Sequence, residues 1–378
     1  MRYCKIGGDL SSARRHHRDM LRLIRRRSQG RGAISTALLS SAIRGFLASP
    51  ACKAVALAKA DPTRAVTEHL FQRAEALDAL GRFKRKIPWR YEARKSGPPR
   101  CVVDLPWELN AVHRLAAEIL YAVVEPGPHI YHWRGTGRDH LALRLAHLLR
   151  TFGQHVILAD VRQCFASVNV EPLTYLNPLP PELFRNALDY RRLRFRRFAG
   201  IPEGMEDGEE TVPRGLLEGS AASNPLLATL FNDLPSHLDE RVEALLFGDN
   251  IAIVASSEGA RGHAEENLVR YFAEHFAGPF SLSIDRFEPK QSFEWLGYSF
   301  DYVGSEVSIH FGTANWLKAL GRLRERSGQL TTRNLEQITQ DLLRGFPAIS
   351  PDNKEVLLLV VADHLASLRP DPAVEIGK

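Results

Sequence analysis

The chain has 378 residues, 44% hydrophobic and 25% charged, which excludes a disordered or fibrous polymer and suits about one to three globular domains. No apolar run approaches the ~18 residues of a membrane span, and Met1 to Leu10 contains no signal-peptide core. The four cysteines, Cys4, Cys52, Cys101 and Cys164, show no zinc-site spacing, so the expectation is a cytoplasmic protein with reduced, mostly buried thiols and no membrane partner.

The net charge of +6 hides an asymmetry. Residues 1–100 carry 23 Lys+Arg against 7 Asp+Glu, and the remainder 27 against 37. A basic segment ahead of an acidic body points to a polyanionic partner. The densest stretches are Arg14-Arg15-His16-His17-Arg18, Arg25-Arg26-Arg27 and Arg82 to Lys86. The competing reading is a set of solvated helix faces.

Residues 1–90 read as helical, with apolar residues at helix spacing in Ala33 to Ala48 and Thr67 to Leu80. Lys95-Ser96-Gly97-Pro98-Pro99-Arg100 is a turn, and Cys101 to Leu105 a strand. Leu109 to Val124 and Asp139 to Phe152 are helix candidates. His155-Val156-Ile157-Leu158-Ala159-Asp160 is a buried strand that ends in a carboxylate. Residues 201–215 are a Gly- and acid-rich loop, and Ala221 to Asn232 an apolar helix. Phe247-Gly248-Asp249-Asn250 then turns between the runs Ala244-Leu245-Leu246 and Ile251 to Ala255. A helix follows at Ala264 to His275, a second hairpin at Phe293 to Phe300 and Glu306 to Phe311, and helices at roughly 313–326, 332–344 and 352–367. The fold class expected is α+β. The segments are a basic helical extension over 1–90, a central block over 91–312 and a helical region over 313–378.

The chemistry concentrates in a few residues. Phosphoryl transfer to a 3′-hydroxyl uses two divalent cations about 3.5–4 Å apart, and magnesium takes hard oxygen ligands. Asp160 and Asp249, if they end neighbouring strands, supply two carboxylates side by side; taken singly, each reads as a strand-end cap or a turn residue sooner than as a ligand. Phe165, five residues after Asp160, reads either as a core aromatic or as a ring beneath an incoming sugar. Gly215 to Ala228, with Gly219 and Ser220, is a small-residue loop feeding a helix, where backbone approaches a ligand closely or simply caps the helix. Lys95 and Arg100 flank a turn from which two cations reach a triphosphate or stay solvated. Phe293-Glu294-Trp295-Leu296-Gly297-Tyr298 alternates aromatics on a ribbon.

In this order, the segments resemble the reverse transcriptase domain of bacterial type over roughly residues 95–312. Asp160 through Phe165-Ala166-Ser167-Val168 is similar to the first palm motif, and Gly215 to Ala228 to the Gly-x-Pro-x-Gly-Ser-x-x-Ser-x-x-Leu-Ala motif. An alternative register for the latter starts at Val212-Pro213-Arg214-Gly215. Phe247-Gly248-Asp249-Asn250 stands where that family writes Tyr-x-Asp-Asp. Phe293 to Tyr298 is close to its primer grip, and Arg134-Gly135-Thr136-Gly137-Arg138 is similar to the segment before the first palm strand. Asn250 departs from the pattern by replacing a carboxylate with an amide.

The resemblance implies a right-hand polymerase with fingers, palm and helical thumb, acting as an RNA-directed DNA polymerase. Asp160, Asp249 and Asn250 become catalytic, with Asp160 and Asp249 holding Mg²⁺ or, in its place, Mn²⁺. Lys95, Arg100, Phe165, Gly219 and Ser220 become nucleotide-binding; Phe293, Leu296 and Gly297 become the primer grip. The partners implied are dNTPs, a DNA product, and an RNA template or structured noncoding RNA, with a second copy or a partner defence protein beside them. Retron and mobile-intron signatures are absent from the sequence, which leaves the defence-associated groups. Two alternatives stay open: a weakened RNA-binding scaffold of a defence complex, and a template-independent or protein-primed DNA polymerase.

Overall fold

The computed structural model describes residues 9–30, 33–64, 69–92, 100–176, 178–197, 213–304, 306–312, 344–345, 347–351 and 353–355. Lys95 and nearly all of the expected helical region 313–378 lie outside them. The chain forms two compact units, neither continuous in sequence. Unit 1 comprises Met1–Arg134, Val161–Leu234 and Val269–Leu282; unit 2 comprises Gly135–Asp160, Pro235–Leu268 and Ser283–Lys378. That division differs from the three consecutive segments expected.

Unit 1 is mainly helical. Helices α1 (Leu10–Ser28), α2 (Ala33–Ala48), α3 (Pro50–Ala60) and α4 (Leu70–Ala76) precede α5 (Trp107–Val123). Asp9 caps α1 by accepting from Ser11 N and Ser12 N, and Arg25, Arg26 and Arg27 in its last turn complement the helix dipole. Proline at the first turn and Ser49 as cap start α3, whose residues Ala51 to Ala58 are all buried against α1 and α5. Helices α1 and α3 therefore share a core with α5. The α1 arginines at 14, 15, 18, 22, 25, 26 and 27 remain exposed, while Ala13, His17 and Ile24 face inward.

The helical reading of residues 1–90 fails at its end. Lys86–Glu92 is a strand, β1, in which Ile87 and Trp89 are buried at every second position. It lies between β2 (Arg100–Val103) and β4 (Arg194–Arg197). Short helices α7 (Cys164–Ser167), α8 (Leu173–Leu176) and α9 (Pro181–Leu183) lead to β4. Helix α10 (Ser223–Leu230) packs on α5, and α11 (Glu258–Glu274) runs from unit 2 into unit 1.

Unit 2 begins with α6 (Arg138–Thr151) and β3 (His155–Val161). Strand β6 (Asn250–Ala255) pairs antiparallel with β5 (Val242–Phe247) on one side and with β3 on the other; β7 (Leu282–Phe287) completes the order β5-β6-β3-β7. Ile251 to Ala255 are fully buried, as an apolar run in a central strand requires. The region expected as a single hairpin is a three-stranded meander: β8 (Phe293–Trp295), β9 (Tyr298–Val303) and β10 (Glu306–Phe311). The mixture of helix and sheet agrees with the α+β class. No helix among the described residues is long and apolar enough to cross a membrane.

Candidate active site

Register brings the two aspartates together. Strand β3 pairs with β6 so that Asp160 stands directly opposite Asn250, one residue from Asp249. Directly opposed residues hold their Cβ atoms about 4.5–5.5 Å apart. The β5–β6 turn closes in two residues, since Phe247 also pairs with Asn250. Gly248 has φ +67° and Asp249 has no positive φ, the pattern of a type II′ turn with glycine first. Asp160 is exposed, whereas Asp249 and Asn250 are half-buried. Asn250 Nδ2 donates to Asp249 Oδ1 at 3.0 Å. A carboxylate oxygen accepts only, so this bond fixes which end of the amide faces Asp249.

These donors fit a hard divalent cation: two carboxylates at the wet end of a sheet whose interior is apolar. A different group in unit 2, His155, Glu258 and Glu288, places its ligand atoms within 4.8 Å of one another. There the Arg261 guanidinium already reaches Glu258 at 2.7 Å and Glu288 at 2.8 Å, so one cation already engages both carboxylates.

Unit 1 gathers a second set. Phe165 is half-buried on α7, and its carbonyl accepts from Leu216 N at 2.7 Å. Gly215 (φ +68°) lies so close that a Cβ would meet Phe165 O at 2.0 Å, so only glycine fits. Gly219 is also left-handed, at φ +87°. The Ser220 hydroxyl accepts from Ala222 N at 3.1 Å, and Ser223 Oγ donates to Leu217 O at 2.9 Å. Phe165 and the Gly219-Ser220 loop are thus one assembly. Helix α10 starts at Ser223, two residues later than expected, because Ser220 to Ala222 are held in that loop.

The other predicted residues separate. Arg100, on β2, forms an ion pair with Glu92 across from it on β1, at 2.6 Å. Phe293 is buried and stacks on Phe300 with ring centroids 5.1 Å apart, a core position. Leu296 and Gly297 form the two-residue β8–β9 turn and are half-buried. Arg134 pairs with buried Glu118 at 2.6 Å, and Lys59 joins at 2.8 Å. Burial pushes the Glu118 carboxyl up, but the hydrogen bonds from Arg134 and Lys59 outweigh it and hold the pKa at about 2. In unit 2, Arg138 covers the Tyr298 ring at 5.3 Å, and the Tyr298 hydroxyl donates to Asp139.

His113 carries no motif and escapes a reading by pattern. It is fully buried on α5, 2.7 Å from Ser220 Oγ and 2.7 Å from Ala187 O. Its one signal is a titratable residue on an otherwise apolar helix face.

No protein-family model and no curated protein matches the chain. Among solved structures, it is similar to the RNA-dependent RNA polymerase 3Dpol of a Sicinivirus, at 11% identity and TM-score 0.49, over 81% of this chain and 68% of that one. It is also similar to telomerase from Candida albicans in complex with a fragment of telomeric RNA, at 11% identity and TM-score 0.38, over 75% and 60% of the two chains. Scores of this size assign no activity, and the chemistry of the hairpin has to come from its own residues.

Proposed function

We propose that the chain is a nucleic-acid polymerase, and more narrowly an RNA-directed DNA polymerase. The observation that carries this is the β3–β6 register, which sets Asp160 opposite Asn250 and beside Asp249 at one sheet end. Asp160 and Asp249 are the residues to hold Mg²⁺ or Mn²⁺. When bound, two such ions lower the pKa of an attacking 3′-hydroxyl and brace the leaving pyrophosphate. Asn250 orients Asp249 through its amide. Phe165, on the loop assembly, is the ring to exclude a 2′-hydroxyl and so select dNTPs. The exposed arginines of α1 suit the phosphates of an RNA template or structured noncoding RNA. A role in antiviral defence follows from the sequence resemblance to defence-associated reverse transcriptases.

The test is primer extension on an RNA template with Mg²⁺ or Mn²⁺. Wild-type protein should incorporate dNTPs, and Phe165→Ala should admit ribonucleotides. Incorporation that survives Asp160→Ala or Asp249→Ala would sink the proposal. One observation favours a second reading, an RNA-binding scaffold: Asn250 replaces a carboxylate and engages an oxygen of Asp249. Protein that retains RNA yet never incorporates dNTPs would select that reading.

A further inference from the structure

We propose that His113 is a positioning residue that locks the Ser220 hydroxyl inward, so that the Leu216–Ala222 loop meets its ligand through main chain at Gly219. The identity of that ligand, a base pair being formed, rests on the polymerase reading; the lock itself does not.

The direction of each hydrogen bond follows from chemistry. A carbonyl oxygen only accepts, so Nε2 of His113, 2.7 Å from Ala187 O, carries a proton. The ring is fully buried, which holds its pKa down, at about 4, and keeps it neutral. Nδ1 is therefore bare and accepts the Ser220 hydroxyl proton at 2.7 Å. A hydroxyl has one proton to give. Ser220 gives it inward and uses an oxygen lone pair on Ala222 N. No hydroxyl proton remains on Ser220 for a ligand.

Gly219 supplies what Ser220 cannot. Its φ of +87° suits glycine, and among the described residues, its chain neighbours aside, the nearest atom an added Cβ would meet is Val103 O at 3.9 Å. Gly219 is exposed among those residues. The loop is anchored at Leu216 N on Phe165 O, and at Ser220 on His113. A shared cradle for Phe165 and Gly219 results, held from α5 by one imidazole. The competing chemistry, a Ser–His nucleophile pair, is disfavoured because burial holds the His113 pKa down at about 4, which makes Nδ1 a poor base for the serine proton.

Three measurements on the full chain test this. Nitrogen NMR of the histidines should show His113 with Nε2 protonated and Nδ1 bare from pH 5 to 8; the opposite tautomer overturns the lock. Amide exchange over Leu216–Ala222 should rise about tenfold in Ser220→Ala, which leaves His113 in place, and in His113→Phe where that variant folds. Unchanged exchange in Ser220→Ala overturns it. In primer extension, each variant should raise KM for dNTP about tenfold with kcat within about twofold, and the double variant should be no worse than either single one. Loss of kcat in Ser220→Ala alone would make the serine a reacting group and overturn the proposal. A wild-type protein that incorporates nothing refutes the polymerase reading, while the tautomer and the exchange still decide the lock.

Discussion

The β5–β6 turn and the β8–β9 turn each reverse the chain in two residues, with glycine first in one and second in the other. In Gly248-Asp249 the glycine takes the left-handed angle, φ +67°, and Asp249 is spared it. In Leu296-Gly297 both residues are left-handed, at +50° and +84°, the type I′ pattern for which Asn-Gly is the favoured pair. The first turn presents its carboxylate on relaxed backbone; the second keeps a leucine where leucine is strained. Precise placement and stored strain are different uses of the same short connection.

The sharpest way to break this contrast is at the carboxylates. Asp160→Ala and Asp249→Ala should each lower nucleotide incorporation by more than about a thousandfold, the scale of several kcal/mol of lost transition-state stabilisation. Neither should move the melting temperature by more than about 2 °C, since exposed and half-buried turn residues carry little stability. Leu296→Ala, by contrast, should leave incorporation on a saturating primer within about tenfold. Equal losses at both turns would erase the difference between them.

Asn250→Asp sharpens the same comparison. It removes the amide that donates to Asp249 and sets two carboxylates side by side. Without metal the pair repels, so the melting temperature in EDTA should fall. With Mg²⁺ the added charge should lower the concentration needed for half-maximal incorporation several-fold. A magnesium titration that matches wild type would place Asn250 outside the site. A smaller effect is expected at Gly248→Ala. Among the described residues, no heavy atom beyond the chain neighbours lies within 4 Å of the added Cβ, so the cost is conformational, about 1 kcal/mol by denaturant unfolding. An alanine that costs nothing there would mean that φ is not held positive.

Legibility in the sequence followed from how local the signal was. Apolar runs bounded by turn residues made β3, β5 and β6 readable, and Asp160 and Asp249 with them, because a strand buried on both faces writes its own pattern. Helices α2, α5 and α6 were readable for the same reason. Strand β1 was not, since the basic cluster Arg82 to Lys86 runs into it and the charges of Arg90 and Glu92 mask the alternation of Ile87 and Trp89. Strand β4, Arg-Phe-Arg-Arg, pairs among the described residues with β1 alone, in parallel. Nor do the two units follow chain order, because contacts between distant segments define them. His113 was invisible because its partners, Ala187 and Ser220, lie 74 and 107 residues away.

The mildest expected effect is also the most discriminating for the second turn. Leu296→Asn restores the residue pair that a type I′ turn favours. Relief of a left-handed leucine is worth about 1–2 kcal/mol, and loss of its half-buried methyl groups offsets part of that. A net gain of about 1 kcal/mol would raise the melting temperature by a few degrees. If Leu296 serves a primer end, the stabilised variant should nonetheless need more primer for half-maximal extension, measured in the same buffer. Stability rising while primer affinity falls marks strain kept for function. Both rising together would make Leu296 an ordinary turn residue and leave Gly248-Asp249 as the turn that carries the chemistry.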